Sequence, residues 1–513
     1  MEDRRRRSGG GKDRISGELL HVILRRLRSA PAAEDRRRRP GGGKDRISGL
    51  PDELLHVILR RLRSAPAAAR TSALSRRWRR VWAHSPDLVF GDDLIRGVEG
   101  GGASFLDALD AALAAYSDDR AVHVGSLKIT VPRTCGANVP GRRVAPWLRF
   151  ASRRLAGTFY LSVPYYRNPR PQVNLEDDEL ELPPCEGATA IELRLGSRFR
   201  LRILPAGTFA ALADLKIHSA TVVGRELEVL VSSQCPRLRN LELVVNLLAA
   251  SDIAVSSATL RRLKFYVRDT RRLYIAAPML EILDVSQIAD AHIAAPNLAE
   301  VLLSSTNVFF ADTGRHLRRL AIMLCSATAP LMRWLDSVNY LQLQIPSVTG
   351  RYRTGWHELL PKCEILCVSS SGLNVHAFEP FLLHILRKGN TITIRKLLLY
   401  FAFPSMKPYC SLDCPCRIPE SPMTNKTILD SLEDIEIHVG GSARKVDKFV
   451  ELLEQLLSDI WSTTTLVNLK SVEMNMLCPD SPLSDELCKK IRGMCPSNIR
   501  IKSNVFPKGL PQD

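Results

Sequence analysis

Short apolar units of one form recur along most of the chain. Each unit has apolar residues at its first, fourth and sixth positions, as in Leu238, Leu241 and Leu243, with mostly polar residues between them. Alternation of apolar and polar residues over a few positions predicts a β-strand with one buried face. The units begin at Val124, Ala188, Leu212, Leu238, Leu260, Leu280, Leu298, Leu317 and Val338. We therefore expect a series of short, similar strands.

The spacing of these units indicates how the strands are arranged. Between Leu212 and Val338, successive units begin roughly 18 to 26 residues apart, which is the spacing of leucine-rich repeats. A single strand cannot bury its apolar face until neighbours stack on it. The predicted fold class is therefore α/β, with an irregular leucine-rich-repeat solenoid and a parallel curved sheet over residues 103–409. The alternative is an ordinary globular α/β domain with several parallel strands. Later units follow at wider spacing, at Ile394, Leu432 and Leu469.

The segment before the strands has helical rather than alternating periodicity. Pro51 suits the first position of a helix, and Asp52 places negative charge at the positive end of the helix dipole. A second amphipathic helix with two tryptophans follows, with Leu74, Trp78 and Trp82 on one face. About forty residues bury too little surface to shield so many apolar side chains, so we expect a binding partner. The apolar stripe of the first helix contains Leu54, Leu55, Ile58, Leu59 and Leu62.

Residues 44–90 resemble an F-box, of the type found in plants. The resemblance rests on Asp45-Arg46-Ile47-Ser48, Leu50 to Leu55, Ile58-Leu59, Arg70-Thr71-Ser72, Leu74 to Trp78, and Trp82. It implies a small three-helix module that docks on the Skp-type adaptor of a cullin-based ubiquitin ligase. The adaptor-binding residues that it implies are Leu50, Pro51, Leu54, Leu55, Ile58, Leu59, Leu62, Leu74, Trp78 and Trp82. The alternative is that these side chains pack against the rest of the chain.

Residues 1–43 are rich in Arg and Gly and contain a truncated duplicate of the F-box start. The duplicate lacks the Leu-Pro-Asp triplet and any counterpart of residues 72–82, so its helix around Glu18 to Leu27 begins poorly and has nothing local to pack on. We predict a weak helix in a mostly disordered arm. The near-identity of the copies indicates a recent duplication or a wrongly joined gene model.

Three further segments complete the predicted domain organisation. The glycine-rich residues 91–102 are typical of a linker, and residues 104–116 have the spacing of a short helix. Residues 410–505 resemble the FBD region that follows leucine-rich repeats in many plant F-box proteins. That resemblance rests on a Cys-x-Cys element, a strand and an amphipathic helix, which lie at Cys414 to Cys416, Leu432 to His438 and Val446 to Leu456. It implies that this region continues the solenoid.

The formal net charge of +18 lies mainly in residues 1–90. A basic arm can be a solvated, disordered segment, or it can bind nucleic acid or act as a nuclear address. The sequence contains no run of about 18 apolar residues, so we expect no transmembrane helix, and the arginine-rich start is not typical of a secretory signal. The 12 cysteines are then expected to be reduced thiols in the nucleus, the cytoplasm or both.

Motifs for catalysis are not found in the sequence. It contains no phosphate-binding Gly-x-x-x-x-Gly-Lys-Ser/Thr loop, no His-Glu-x-x-His and no Gly-x-Ser-x-Gly elbow. A structural zinc ion needs four ligands, whereas Cys410, Cys414 and Cys416 supply three, with His438 a fourth only if the fold brings it near. We therefore expect no enzyme activity, no metal and no cofactor.

The resemblance to F-box proteins implies a substrate-recognition subunit of an SCF-type ubiquitin ligase. In this hypothesis the F-box docks on the adaptor, and through it on a cullin scaffold, while the repeat and FBD-like regions bind a protein target. One alternative is a repeat scaffold for protein–protein interaction without a role in ubiquitin transfer. Another is a basic nucleic-acid-associated protein, although the arm lacks the aromatic residues that would stack on bases. The sequence identifies neither the target nor a small-molecule co-ligand.

Overall fold

The fold is α/β, with most strands in parallel ladders and few helices. The chain divides into two units, Met1–Leu212 and Ala213–Asp513. The computed structural model describes residues 50–52, 54–55, 77, 87–91, 102–117, 123–135, 139–164, 178–196, 199–304, 307–311, 317–323, 337–345, 360–370, 382, 385–386, 394–402, 427–440, 458, 464–477, 489, 493 and 499–505. The predicted arm at 1–43, and the predicted FBD helix from Val446 to Leu456, lie outside these described ranges.

The first unit combines helices with short parallel strands. β1 pairs with β2, β2 with β3, and β3 with β5, while β4 pairs separately with β6. The helix predicted over 104–116 is present as α1. The elements are β1 (Asp87–Phe90), α1 (Gly102–Ser117), β2 (Val124–Thr130), a 3-10 turn (Arg133–Cys135), α2 (Gly141–Arg154), β3 (Leu155–Ser162), β4 (Glu179–Leu182), β5 (Ala190–Arg194) and β6 (Arg200–Ile203).

Helices α1 and α2 are joined by polar contacts around one carboxylate. Asp110 of α1 accepts a hydrogen bond from the indole Nε1 of Trp147 at 2.7 Å and pairs with Arg143 at 2.5 Å. Arg143 also reaches Asp107, one helical turn earlier, at 2.6 Å. Because Trp147 is only 1% exposed, its indole N–H needs this acceptor. The pairing of these two helices therefore depends on the burial of Trp147 and on the ion pairs of Arg143.

The second unit consists mostly of strands. Strand β7 is followed by a short helix, α3, which continues as a π turn before β8. Its elements are β7 (Asp214–Val222), α3 (Gly224–Val229), the π turn (Leu230–Gln234), β8 (Asn240–Ser256), β9 (Arg262–Ala276), β10 (Ile282–Ser286), β11 (Asp290–Ala294), β12 (Glu300–Ser304), β13 (Asn307–Phe310), β14 (Arg319–Met323), β15 (Ser337–Ile345), β16 (Lys362–Ser370), β17 (Lys396–Ala402), β18 (Thr427–Ile428), β19 (Asp434–Gly440), β20 (Thr464–Thr465), β21 (Ser471–Leu477) and β22 (Arg500–Val505).

A long parallel ladder, which we call the main ladder, runs through the second unit. Its strands follow the order β7, β8, β9, β10, β12, β14, β15, β16, β17, β19, β21 and β22, and every neighbouring pair is parallel. The strands predicted from the repeated apolar units, and their parallel pairing, are confirmed. The widely spaced later units also join this ladder, as β17, β19 and β21.

The register of the main ladder aligns the apolar residues of successive units in rows. Leu241 lies beside Leu263, which in turn lies beside Leu283, and Leu243 lies beside Phe265, which in turn lies beside Val285. These side chains are 0–2% exposed. Burying each such side chain contributes about 1.5–3 kcal/mol, and every strand depends on its neighbours for that burial. The first leucine of each unit, as in Leu238, is buried in the turn before its strand.

A second ladder is formed by segments that were not predicted as strands. The later part of β9 pairs with β11, and β11 pairs with β13. The chain therefore alternates between the two ladders from β9 to β13. At two of these corners a residue with positive φ turns the chain, Asp269 at 66° and Gln287 at 63°. Asp tolerates this left-handed conformation better than most residues, which explains its place at the first corner.

Candidate functional site

The start of the F-box-like segment forms the first turn of a helix. The N–H groups of Leu54 and Leu55 both donate to the carbonyl of Pro51, each at 3.1 Å. Helical structure begins at Asp52, so Pro51 lies one residue before the first helical position predicted for it. The difference follows from the hydrogen bonds, because the residue whose carbonyl accepts the first bond of a helix is its N-cap.

Arg77 connects this first turn to the later part of the segment. Its guanidinium lies 2.5 Å from the Asp52 carboxylate and donates to the carbonyl of Leu50 at 2.6 Å. Both charged side chains are substantially exposed, at 40% for Arg77 and 56% for Asp52, so the ion pair itself contributes at most about 1 kcal/mol. The contact instead positions the chain, because the Arg77 side chain binds both Leu50, the residue before Pro51, and Asp52, the first residue of the helix.

The two leucines of the first turn have opposite environments. Leu54 exposes 48% of its surface, whereas Leu55 is fully buried. Successive helical residues point about 100° apart, so one residue can contact a partner while the next packs inside. Of the ten predicted adaptor-binding residues, Leu50, Pro51, Leu54 and Leu55 are described. The others lie outside the described residues, at Ile58, Leu59, Leu62, Leu74, Trp78 and Trp82.

The second candidate surface is the outer face of the main ladder, formed by the side chains that alternate with the buried rows. Its middle row is charged on β7 to β10, uncharged on β12 to β17, and charged again on β19 to β22. The row contains Lys216, Glu242, Lys264, Asp284, Leu302, Ala321, Gln342, Cys367, Leu398, Glu436, Glu473 and Lys502. Seven of these residues, from Lys216 to Gln342, occupy the fifth position of the repeated units, and the strand pairing adds the other five.

The first charged section is internally neutralised. Glu242 lies 3.0 Å from Lys264 and 3.4 Å from His218. Burial alone would raise the pKa of Glu242, but the hydrogen bond from Lys264 and the charges of Lys264, His218 and Lys216 together lower that pKa. In the same section the Tyr266 hydroxyl donates to both oxygens of Asp284, at 2.8 and 2.9 Å. The carboxylates of Glu242 and Asp284 are therefore both already bound by neighbouring side chains.

The last charged section is organised around Glu436. Its carboxylate lies 2.6 Å from Lys396 and 2.7 Å from the Nε2 of His438, and it accepts a hydrogen bond from Asn475 at 3.0 Å. The His438 ring stacks on Tyr400 with centroids 4.1 Å apart and a 4° angle between the planes. Burial would raise the pKa of Glu436, but Lys396 and His438 lower it below its usual value.

This low pKa predicts a pH-dependent contribution of Glu436 to stability. A carboxyl group whose folded pKa lies below its unfolded value of 4.5 stabilises the fold above that pH, and the contribution is lost as the pH falls through the folded pKa. We expect Glu436→Gln to lower the free energy of unfolding at pH 7 and to differ less from wild type as the pH falls below 4.5. Urea unfolding at several pH values measures this; a difference that does not shrink in acid would contradict it.

Four of the five described cysteines, Cys185, Cys235, Cys363 and Cys367, are buried, and Cys135 is partly exposed. Burial raises the pKa of Cys235 and that of Cys363 to about 12 each. Such thiols are protonated at neutral pH, and the thiolate is the form that attacks substrates and binds metals. Within the described ranges no group of three His, Cys, Asp or Glu side chains could hold a metal ion. Cys410, Cys414 and Cys416, the candidate zinc ligands, lie outside those ranges, and His438 is engaged with Glu436.

None of the helices in the described part of the chain has the length and apolar character that a membrane span requires.

Comparison with known proteins identifies one domain. The F-box domain family matches residues 47–89. No curated protein is significantly similar to the chain. The match covers the helix start at Asp52, the exposed Leu54 and the Arg77 contact, and F-box proteins are generally non-catalytic adaptors. Residues 47–89 are thus an F-box domain, which suggests a substrate-recognition adaptor of SCF-type ligases that binds a Skp-type protein.

Proposed function

We propose that the chain is the substrate-recognition subunit of an SCF-type ubiquitin ligase. The observation that carries this proposal is the F-box match at residues 47–89, within which Leu54 leaves nearly half of its surface uncovered. In this proposal residues 44–90 form the three-helix module, and the exposed apolar side chains of its helices bind a Skp-type adaptor that connects the chain to a cullin. The chain then acts in the nucleus, the cytoplasm or both.

Within this proposal the two leucines of the first turn have different roles. Leu54 is the adaptor contact, because its side chain is exposed and apolar. Leu55 holds the helix against the interior, and Arg77 fixes the start of the helix through Asp52 and the Leu50 carbonyl. Leu50 and Pro51, at the solvent-facing start of the same turn, complete the described part of the docking surface.

The target-binding part is proposed to be the main ladder. Its parallel strands and aligned apolar rows are what stacked leucine-rich repeats would produce, and they support a solenoid over residues 103–409. The proposed FBD-like region, residues 410–505, contributes β19, β21 and β22 to the same ladder. A protein target would bind the outer face, which presents half-buried polar and aromatic side chains.

The mechanism requires no catalytic side chain in this chain. Holding a lysine of the target near a loaded conjugating enzyme raises the effective concentration of the reacting groups. The chain binds the adaptor and the target at the same time and holds them at a distance that allows ubiquitin transfer. Protonated, buried thiols such as Cys235 fit this non-catalytic role.

A pull-down with a recombinant Skp-type adaptor tests the proposal. We expect the intact chain to be recovered and a triple variant, Leu50→Ala, Pro51→Ala and Trp78→Ala, to be lost from the bound fraction. A matched variant with Arg271→Ala, an exposed position on β9, should be recovered like wild type. Equal recovery of the intact chain and the triple variant would refute adaptor docking through the F-box.

A further inference from the structure

The uncharged section of the outer face has one cation whose hydrogen-bonding capacity is little used. Arg319, at the start of β14, makes one long hydrogen bond, from Nη2 to the Gln342 side chain at 3.4 Å. Its guanidinium lies over the Tyr340 ring, 4.7 Å from the centroid. Its Nε is buried and has no hydrogen-bond partner. Arginine carries five N–H donors, so most of those on Arg319 are not used by these contacts.

Among the described residues of this face, no carboxylate forms an ion pair with Arg319. Glu300 lies beside it in register on β12, yet these two described residues form no ion pair, and Arg319 turns instead to Gln342 and Tyr340. By contrast, Lys264 in the first charged section and Lys396 on β17, the last strand of the uncharged section, are each within 3.0 Å of a glutamate. The buried Nε is out of reach of a docking group, so the donors that remain for an incoming anionic group are those of the two Nη atoms.

Apolar and aromatic surface surrounds this cation. Cys367 and Leu398, on the next two strands of the main ladder, are only 0% and 8% exposed and form a flat apolar base. Half-buried Tyr340 and Tyr400 lie beside these two residues. Five strands at about 4.8 Å spacing give a strip roughly 20 Å wide, which matches about six residues of extended peptide.

We propose that this uncharged strip, the outer face of β12 to β17, docks an extended target segment that places a carboxylate on Arg319 beside an apolar or aromatic side chain on Tyr340 and Tyr400. Guanidinium binds carboxylate through two parallel hydrogen bonds, and an Arg already stacked on a tyrosine is held in place for that contact. The inference rests on the proposed function, because it names the chemistry of the target that the ladder would select.

Selection of peptides on the full chain tests the inference. The probe is a random twelve-residue peptide library displayed on phage, with no adaptor present. We expect the selected peptides to be enriched in Asp or Glu next to an aliphatic or aromatic residue. A synthetic peptide of the selected consensus should bind Arg319→Gln at least tenfold more weakly than wild type. Arg262→Gln, at the in-register exposed position of β9 within the charged section, should change the affinity less than twofold.

A substitution in the peptide tests the same contact without depending on whether a variant of the chain folds. Replacing the consensus acid by its amide should weaken binding to the wild-type chain about tenfold and leave binding to Arg319→Gln unchanged. Selection of no peptide, a consensus without an acid, or equal losses for Arg262→Gln and Arg319→Gln would overturn the inference. Because Arg319→Gln should still be recovered with the adaptor in a pull-down, failure here is distinguishable from failure of the F-box proposal.

Discussion

Replacing Leu54 by Asp is expected to lower the affinity of the chain for a Skp-type adaptor by at least about a hundredfold, because it removes an apolar contact and buries a carboxylate in the interface. The free energy of unfolding should change by less than about 0.5 kcal/mol, since the side chain is 48% exposed in the free chain. Titration calorimetry with purified adaptor, together with thermal unfolding of the variant alone, measures both quantities.

The neighbouring leucine provides the matched control. Leu55→Ala should destabilise the F-box segment by about 2–5 kcal/mol, because the fully buried side chain leaves a cavity. Leu55→Ala should weaken adaptor binding only by lowering the fraction of chains whose F-box is folded. The effect should therefore be small at low temperature, where the segment stays folded. If Leu54→Asp destabilised the chain and still bound the adaptor tightly, the assigned roles of these two residues would be wrong.

The largest effect on stability is expected from Phe265→Ala in the main ladder. Phe265 is fully buried, lies between Leu243 and Val285 in the apolar row, and shares their burial. Its truncation should cost about 3–5 kcal/mol, the usual range for a large aromatic side chain in a core. The effect should reach both neighbouring strands, because each strand buries its face only against the next.

Urea unfolding followed by far-ultraviolet circular dichroism measures this cost. Arg271→Ala, on the exposed side of the same strand β9, is the control and should shift the free energy of unfolding by less than about 0.5 kcal/mol. Equal shifts for the two variants would contradict the placement of the apolar row in the interior.

The main strands could be predicted because local sequence determines them. Alternating residues such as Leu241 and Leu243 indicate one buried face, and the same pattern in every unit indicates that the units stack in parallel. The order of strands along the ladder follows from the chain because neighbouring units pair with each other. Even the widely spaced units near Leu432 and Leu469 form strands in this ladder, since longer connections leave the pairing of the strands intact.

The elements that were missed carry weaker local signals. Strands β11 and β13 have only five and four residues, and they are held by the second ladder, in which β11 pairs with the later part of β9 and β13 pairs with β11. Helix α2 has its buried residues at helical spacing, including Val144, Trp147, Leu148 and Ala151, which is a signal that could have found it. Pro146 inside that helix and its many arginines obscure the signal.

The candidate binding surface needed the register as well as the strands. In the sequence Arg319 and Tyr340 occupy the third position of successive repeated units, whereas Cys367 lies outside the units predicted from the sequence. The pairing of β14 with β15 and of β15 with β16 brings them onto adjacent strands of one face. Likewise, the helical spacing of Leu54 and Leu55 places both on one broad apolar stripe, and only the three-dimensional arrangement separates the exposed leucine from the buried one.

The central claim is that residues 47–89 connect this chain to a ubiquitin ligase through a Skp-type adaptor. The most direct measurement is the affinity of purified adaptor for the intact chain and for a chain that lacks residues 44–90 but keeps the truncated duplicate in residues 1–43. We expect the intact chain to bind and the deletion to show no measurable binding, while the main ladder keeps its circular dichroism signal. Binding of the deleted chain at the affinity of the intact one would contradict the claim.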